Sequence, residues 1–126
     1  KFTLLQAAQI ASVPTFLQKA AETALQVEVT DMAAVYRKRR EYVLARLDQM
    51  GLPYPTPRGA FYVFPEITKF GMDSEAFCIR LIEEGGLAAV PGSCFGGEGH
   101  IRLSYCYSDE ELQESLDRLE KFIRSL

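Results

Sequence analysis

The 126-residue chain is 48% hydrophobic and 25% charged, with a formal net charge of −3. That length can bury a core without disulfides or metal, and the apolar fraction excludes a disordered tail. The acidic balance weighs against a nucleic-acid partner. No apolar run reaches the ~20 residues that cross a bilayer, so no membrane partner is expected either.

Residues 1–12 show no clear hydrophobic period. The first ten also lack the charged, apolar and cleavage regions of a signal peptide, so none is expected. Pro14 suits the first turn of a helix over 14–26, with Ser12 as a possible cap. That stretch is rich in Ala, Leu and Gln, until Val27, Val29 and Thr30 interrupt it. A second helix is predicted over 31–50, with Tyr36, Val43, Leu47 and Met50 on one face and Gly51 after its end. Its basic run, Arg37 to Arg40, reads as a solvated face diluted by Asp31, Glu41 and Asp48.

Pro53, Pro55 and Pro57 hold an extended connector that cannot be helical. The aromatic run 60–64, bounded by Gly59 and Pro65, reads as a buried strand. Asp73 or Ser74 can cap a third helix with the stripe Phe77, Cys78, Leu81 and Ile82, ended by Gly85 and Gly86. A short apolar strand at 87–90 stops at Pro91. A glycine-rich loop spans 92–99, and 101–105 is another strand. Ser108 and Glu111 frame a capping box for an amphipathic helix built on Leu112, Leu116, Leu119, Phe122 and Ile123. Together these give an α+β fold: about four helices packed with a small mixed sheet of three short strands. The passage between strands through the third helix would allow a parallel pair.

Three cysteines, Cys78, Cys94 and Cys106, form no Cys-x-x-Cys pair. They read as reduced thiols acting as small hydrophobes in a cytoplasmic protein. The single histidine, His100, has no neighbours at ligand spacing, so no metal site is expected. It gives no basis for a cysteine or serine triad, because the chain has no nucleophile elbow.

Arg102 carries the most chemical information. Strand alternation puts Ile101, Leu103 and Tyr105 on one face, and Arg102, Ser104 and Cys106 on the other. A guanidinium on a rigid strand beside small residues is suited to gripping a carboxylate with two parallel hydrogen bonds. An arginine on a solvated face or in an internal ion pair would look the same at this level. The 92–99 loop is no phosphate cradle: it lacks a Gly-Lys-Ser/Thr ending and leads into a strand.

Three motifs occur in order: Pro57-Arg58-Gly59-Ala60-Phe61-Tyr62-Val63-Phe64-Pro65, Val90-Pro91-Gly92-Ser93-Cys94-Phe95-Gly96 and Ile101-Arg102-Leu103-Ser104-Tyr105. Together they resemble the aspartate-aminotransferase-like, class I/II family of fold type I pyridoxal-phosphate enzymes. The stretch 9–25 resembles the family segment that crosses back from the large domain, so the likeness covers essentially the whole chain. It implies a crossing segment over 1–30 and the C-terminal small domain over 31–126.

The resemblance implies that Arg102 binds the substrate α-carboxylate and that Gly59 and Phe61 line the substrate pocket. It implies pyridoxal phosphate, amino-acid and 2-oxo-acid substrates, and a homodimer for the intact enzyme. Lys1, Lys19, Lys38, Lys69 and Lys121 all lack the context of the family's Schiff-base lysine. No catalytic or cofactor-binding residue is therefore assigned here, and the chain alone is expected to be inactive. Transcription regulators with an aminotransferase-like domain share this C-terminal pattern, as do lyases and synthases of the same fold type. A free-standing carboxylate-binding module built on Arg102 is a further alternative. Removal of a large domain would leave apolar surface along residues 2–25, with self-association as the expected result.

Overall fold

The computed structural model describes residues 2–10, 13–28 and 30–126, with the side chains of Gln6, Gln9, Ile10 and Thr30 left aside. The chain divides into two compact units, Lys1–Met32 and Ala33–Leu126.

The first unit holds helices α1 (Phe2–Ile10) and α2 (Thr15–Ala24). Helix α1 falls where the sequence shows no period. Phe2, Leu4, Leu5, Ala7 and Ala8 are spread around its circumference, so no stripe emerges. Pro14 precedes α2 as its N-cap and provides no side-chain cap bond. The Gln18 amide instead donates to the Val13 carbonyl at 2.7 Å. The predicted Ser12 cap and the break at Val29 lie outside the described residues.

In the second unit, α3 (Thr30–Gln49) continues from the first and ends before Gly51, whose φ is 64°. Val43 and Leu47 are buried, and Tyr36 and Met50 pack against them half-buried. Helix α4 (Ser74–Gly85) starts at Asp73, whose side chain accepts from the Ala76 amide at 2.7 Å. It ends on Gly86 in the left-handed region. Its buried face is Ser74, Phe77, Cys78 and Leu81. Ile82, predicted on that stripe, is instead 53% exposed, because it lies a further ~100° around the helix from Leu81. Helix α5 (Asp109–Ile123) carries the capping box in full: Ser108 Oγ accepts from the Glu111 amide, and the Glu111 carboxylate accepts from the Ser108 amide at 3.0 Å.

The sheet has the order β1-β3-β2, with β1 at Tyr62–Val63, β2 at Val90–Pro91 and β3 at Ile101–Ser104. Both pairings are antiparallel, so the sheet is not mixed and the parallel pair allowed by the sequence does not form. The two strands joined through α4 run the same way but are separated by β3. The strands are also shorter than the apolar runs that suggested them. Ala60 has φ 59°, which breaks extended geometry before Phe61, and Pro65 ends the run. Helix α4 packs on both α5 and β2. Phe77 anchors this contact, with its ring 5.4 Å from Phe122 and 5.5 Å from Phe70.

The basic run of α3 is not simply a solvated face. Lys38 and Arg39 both meet Asp109 at the start of α5, Arg39 at 2.9 Å. Arg39, first among these, holds the Asp109 carboxyl below its usual range. Arg40 donates to the Pro57 carbonyl at 3.3 Å, tying α3 to the proline connector. One acidic partner of this run, Asp109, thus comes from another helix. No helix among the described residues is long and apolar enough to cross a membrane.

Candidate functional site

Strand β3 is the centre of the sheet, and the face expected from alternation is the one observed. Ile101 and Tyr105 are fully buried and Leu103 half-buried on one side. Arg102 and Ser104 lie on the other, and both line a cavity of about 320 Å³ whose wall also takes in Phe61, Tyr62, Leu103 and the α5 core residues Leu112 and Leu116. Arg102 is half-buried, and no carboxylate among the described residues pairs with it. Its guanidinium carbon lies 4.4 Å from the Tyr62 ring centroid and 4.3 Å from that of Phe95. This is a cation held by aromatic faces, with its hydrogen-bond donors uncommitted to a protein anion.

Register explains the first contact. Tyr62 stands opposite Ser104, so it shares a sheet face with Arg102 one diagonal step away. Serine is small enough for the ring to lean across. Phe95 comes from the glycine-rich loop, which is more ordered than its composition suggests. Gly92–Phe95 is a 3-10 turn, tied down where the Gly92 amide donates to the His100 carbonyl at 2.8 Å. A Cβ on Gly92 would lie 2.1 Å from the Gly97 carbonyl oxygen, so only glycine fits. The Ser93 amide donates to Ser74 Oγ at 3.2 Å, and Ser74 Oγ donates to Glu98 at 2.9 Å. Glu98 also accepts from the Gly99 and Ser74 amides, and these bonds hold its carboxyl below the ordinary range. His100 stacks on Phe64 at 5.1 Å, and Phe64 meets Phe95 edge-on at 6.3 Å.

Of the other residues singled out by sequence, Phe61 lines the cavity and is 38% exposed. Gly59 does not line it; it is exposed two residues upstream, and a Cβ there would meet nothing within 4 Å. Between them Ala60 occupies the left-handed region, a conformation costing about 1–2 kcal/mol for a residue with a Cβ. The Tyr105 hydroxyl, donating to the Ala60 carbonyl at 3.1 Å, holds that turn in place. Sequence reasoning missed Tyr62, Phe95 and the Ser74–Glu98 clasp. The signal for Tyr62 was its parity with Arg102 across the sheet, which needs the register; Phe95 offered only an apolar residue among glycines.

Only Cys78 among the cysteines behaves as a buried hydrophobe, and burial pushes its thiol up to about 11. Cys94 and Cys106 are exposed, and Cys106 Sγ lies 2.9 Å from Ser104 Oγ. No cluster among the described residues has the composition to hold a metal ion.

Pyridoxal phosphate, implied by the resemblance, is not matched by this donor set. Among the described residues Arg102 is the cavity's one cation, and no lysine lines it. A Schiff base requires a lysine amine. Lys19 pairs with Glu22, Lys38 with Asp109, and Lys69 donates to the Met50 and Gly51 carbonyls.

Comparison with known proteins agrees with this architecture. Residues 3–119 match the family profile described as Aminotransferase class I and II. The chain belongs to that family. It is 44% identical over 117 residues to aromatic-amino-acid aminotransferase 2 of Thermococcus litoralis, covering 87% of this chain and 30% of the relative. It is 42% identical over 129 residues to the aspartate aminotransferase of Pyrococcus horikoshii, covering 96% and 33%. Among solved structures, an aromatic aminotransferase from Pyrococcus horikoshii superposes with a TM-score of 0.83 at 40% identity, over 96% of this chain and 34% of the other. An aspartate aminotransferase from Thermotoga maritima gives 0.83 at 39%, over 95% and 31%. The chain thus spans about a third of the length of the relatives it matches.

Proposed function

We propose that the chain supplies the α-carboxylate grip of a pyridoxal-phosphate-dependent aminotransferase, which passes an amino group from an amino acid to a 2-oxo acid. The observation that carries this is Arg102: a guanidinium on the central strand, in the lining of a cavity, with no carboxylate partner among the described residues. Its planar fork of donors matches a carboxylate in two parallel bonds. An α-carboxylate is common to every amino acid and 2-oxo acid, so one fixed arginine serves both halves of the exchange. Phe61 and Gly59 contribute to the wall and approach of the pocket.

No lysine among the described residues lines the cavity, so this reading assigns none of them to the cofactor. By itself the chain is not expected to transaminate. A homodimer and a cytoplasmic location belong to the same reading and rest on the family resemblance. The substrate side chain does not follow from similarity. Relatives named for aromatic amino acids and for aspartate are 44% and 45% identical to this chain.

The test is made in the intact enzyme, with L-aspartate and L-phenylalanine as donors and 2-oxoglutarate as acceptor. Arg102→Leu should raise the donor KM roughly 100-fold, the loss of about 3 kcal/mol from a charge-assisted pair. Arg102→Lys should recover only part, because an ammonium cannot bind in bidentate fashion. An unchanged KM in Arg102→Leu, or no turnover with either donor in the unmutated enzyme, would overturn the reading.

A further inference from the structure

A guanidinium is hydrated poorly over its two faces and strongly at its edge, where all five N–H donors lie in one plane. Tyr62 and Phe95 approach Arg102 at 4.4 and 4.3 Å. The ring partner of Tyr62 is Phe61 and that of Phe95 is Phe64, so among the described residues the two rings do not stack on each other and reach the guanidinium from different directions. The N–H donors in its plane are paired with no carboxylate among the described residues. Both rings are themselves fixed. Tyr62 is in the sheet and packs on Phe61 with centroids 4.3 Å apart. Phe95 ends a turn that is bonded to the start of α4 through Ser93, Ser74 and Glu98, and it meets Phe64 edge-on.

Resting on the carboxylate reading above, we propose that Tyr62 and Phe95 are positioning residues. They clamp the Arg102 guanidinium between two aromatic faces, so that its edge is presented to the substrate carboxylate before substrate arrives. A long side chain held this way loses less freedom when it binds than a mobile one. The attraction of each ring for the cation adds to the hold. Neither ring needs to touch substrate. The clamp acts on binding of the carboxylate, common to donor and acceptor, and leaves the proton transfers to other groups.

In the intact enzyme, Phe95→Leu keeps most of the volume and removes the π face. It should raise the KM for L-aspartate or L-phenylalanine about tenfold, with kcat within about threefold of the parent. Tyr62→Leu should do the same. Phe95→Tyr and Tyr62→Phe, which keep the face, should stay near the parent. Made on top of Arg102→Leu, Phe95→Leu should add no further rise, because nothing remains to position. A parent-like KM in Phe95→Leu and Tyr62→Leu overturns the clamp. A rise of equal size with Arg102 already removed also overturns it, since the rings would then act through packing alone. An Arg102→Leu variant with parent KM overturns the carboxylate reading itself, a separate result. If Phe95→Leu does not fold, the Tyr62 pair carries the same test on a strand residue.

Discussion

The two units of this chain contain similar kinds of residue and use them in opposite ways. In Ala33–Leu126, fourteen hydrophobic side chains close a single core, with Leu47, Phe77, Leu81 and Leu119 fully withdrawn from water. In Lys1–Met32, helix α2 buries none of its residues. Phe2 and Leu25 are each 89% exposed, and Phe16 is 72% exposed. Apolar surface left in water stabilises nothing, so the second unit supplies the folding free energy and the first is a candidate contact surface. The site follows the same division: Arg102, its rings and its cavity all belong to the second unit.

The largest test of this contrast is a pair of phenylalanines. Phe77→Ala removes a fully buried ring touching Phe70 and Phe122, and should cost about 3–5 kcal/mol. Phe16→Ala should change stability by about 0.5 kcal/mol or less. Urea denaturation of both variants checks the difference; equal losses would show that the first unit has a core of its own.

A pair of glycines sharpens the contrast within the second unit. Gly92→Ala drives a Cβ into the Gly97 carbonyl and should cost about 3 kcal/mol, the upper end of overpacking. Gly59→Ala meets open space and should be nearly neutral in the same denaturation experiment. Any effect of Gly59→Ala on KM in the intact enzyme would then report contact with substrate or cofactor, not folding.

The smallest effect is electrostatic. Hydrogen bonds from Gly99 and Ser74 hold the Glu98 carboxyl below its usual range. A carboxyl depressed in the folded state adds stability above its unfolded pKa, about 4.3, and loses it as pH falls through the lower folded value. Glu98→Gln should therefore be less stable than the parent at neutral pH, and the gap should narrow in acid below about pH 4. Urea midpoints across that range check it; a gap that widens in acid would contradict the clasp.

Much of the second unit was legible in the sequence because its signals are local. The Ser108–Glu111 box, the Asp73 cap and the stripes of α3 and α5 each depend on residues within a few positions. So did the outward direction of Arg102, fixed by strand alternation. The errors came where partners are distant in sequence. Ile82 was misplaced because several helix faces fit one stripe until a packing partner selects among them. The parallel pair failed because strand order is decided by which edges meet, and β3 came between. The basic run on α3 found Asp109 some seventy residues away. Helix α1 gave no signal because its apolar residues surround it.

The sequence by itself determined helices α2 to α5, the caps of α4 and α5, the sided placement of Arg102 and the family pattern in three short motifs. Those properties follow from backbone geometry and nearest neighbours. Only the tertiary structure decided that β3 lies between two antiparallel partners, that the glycine-rich loop is a tied turn, and that Tyr62 and Phe95 close over one guanidinium. Each of these joins groups tens of residues apart or selects one register from several. Such choices are made by packing and hydrogen bonding of the whole chain, not by the preferences of its parts.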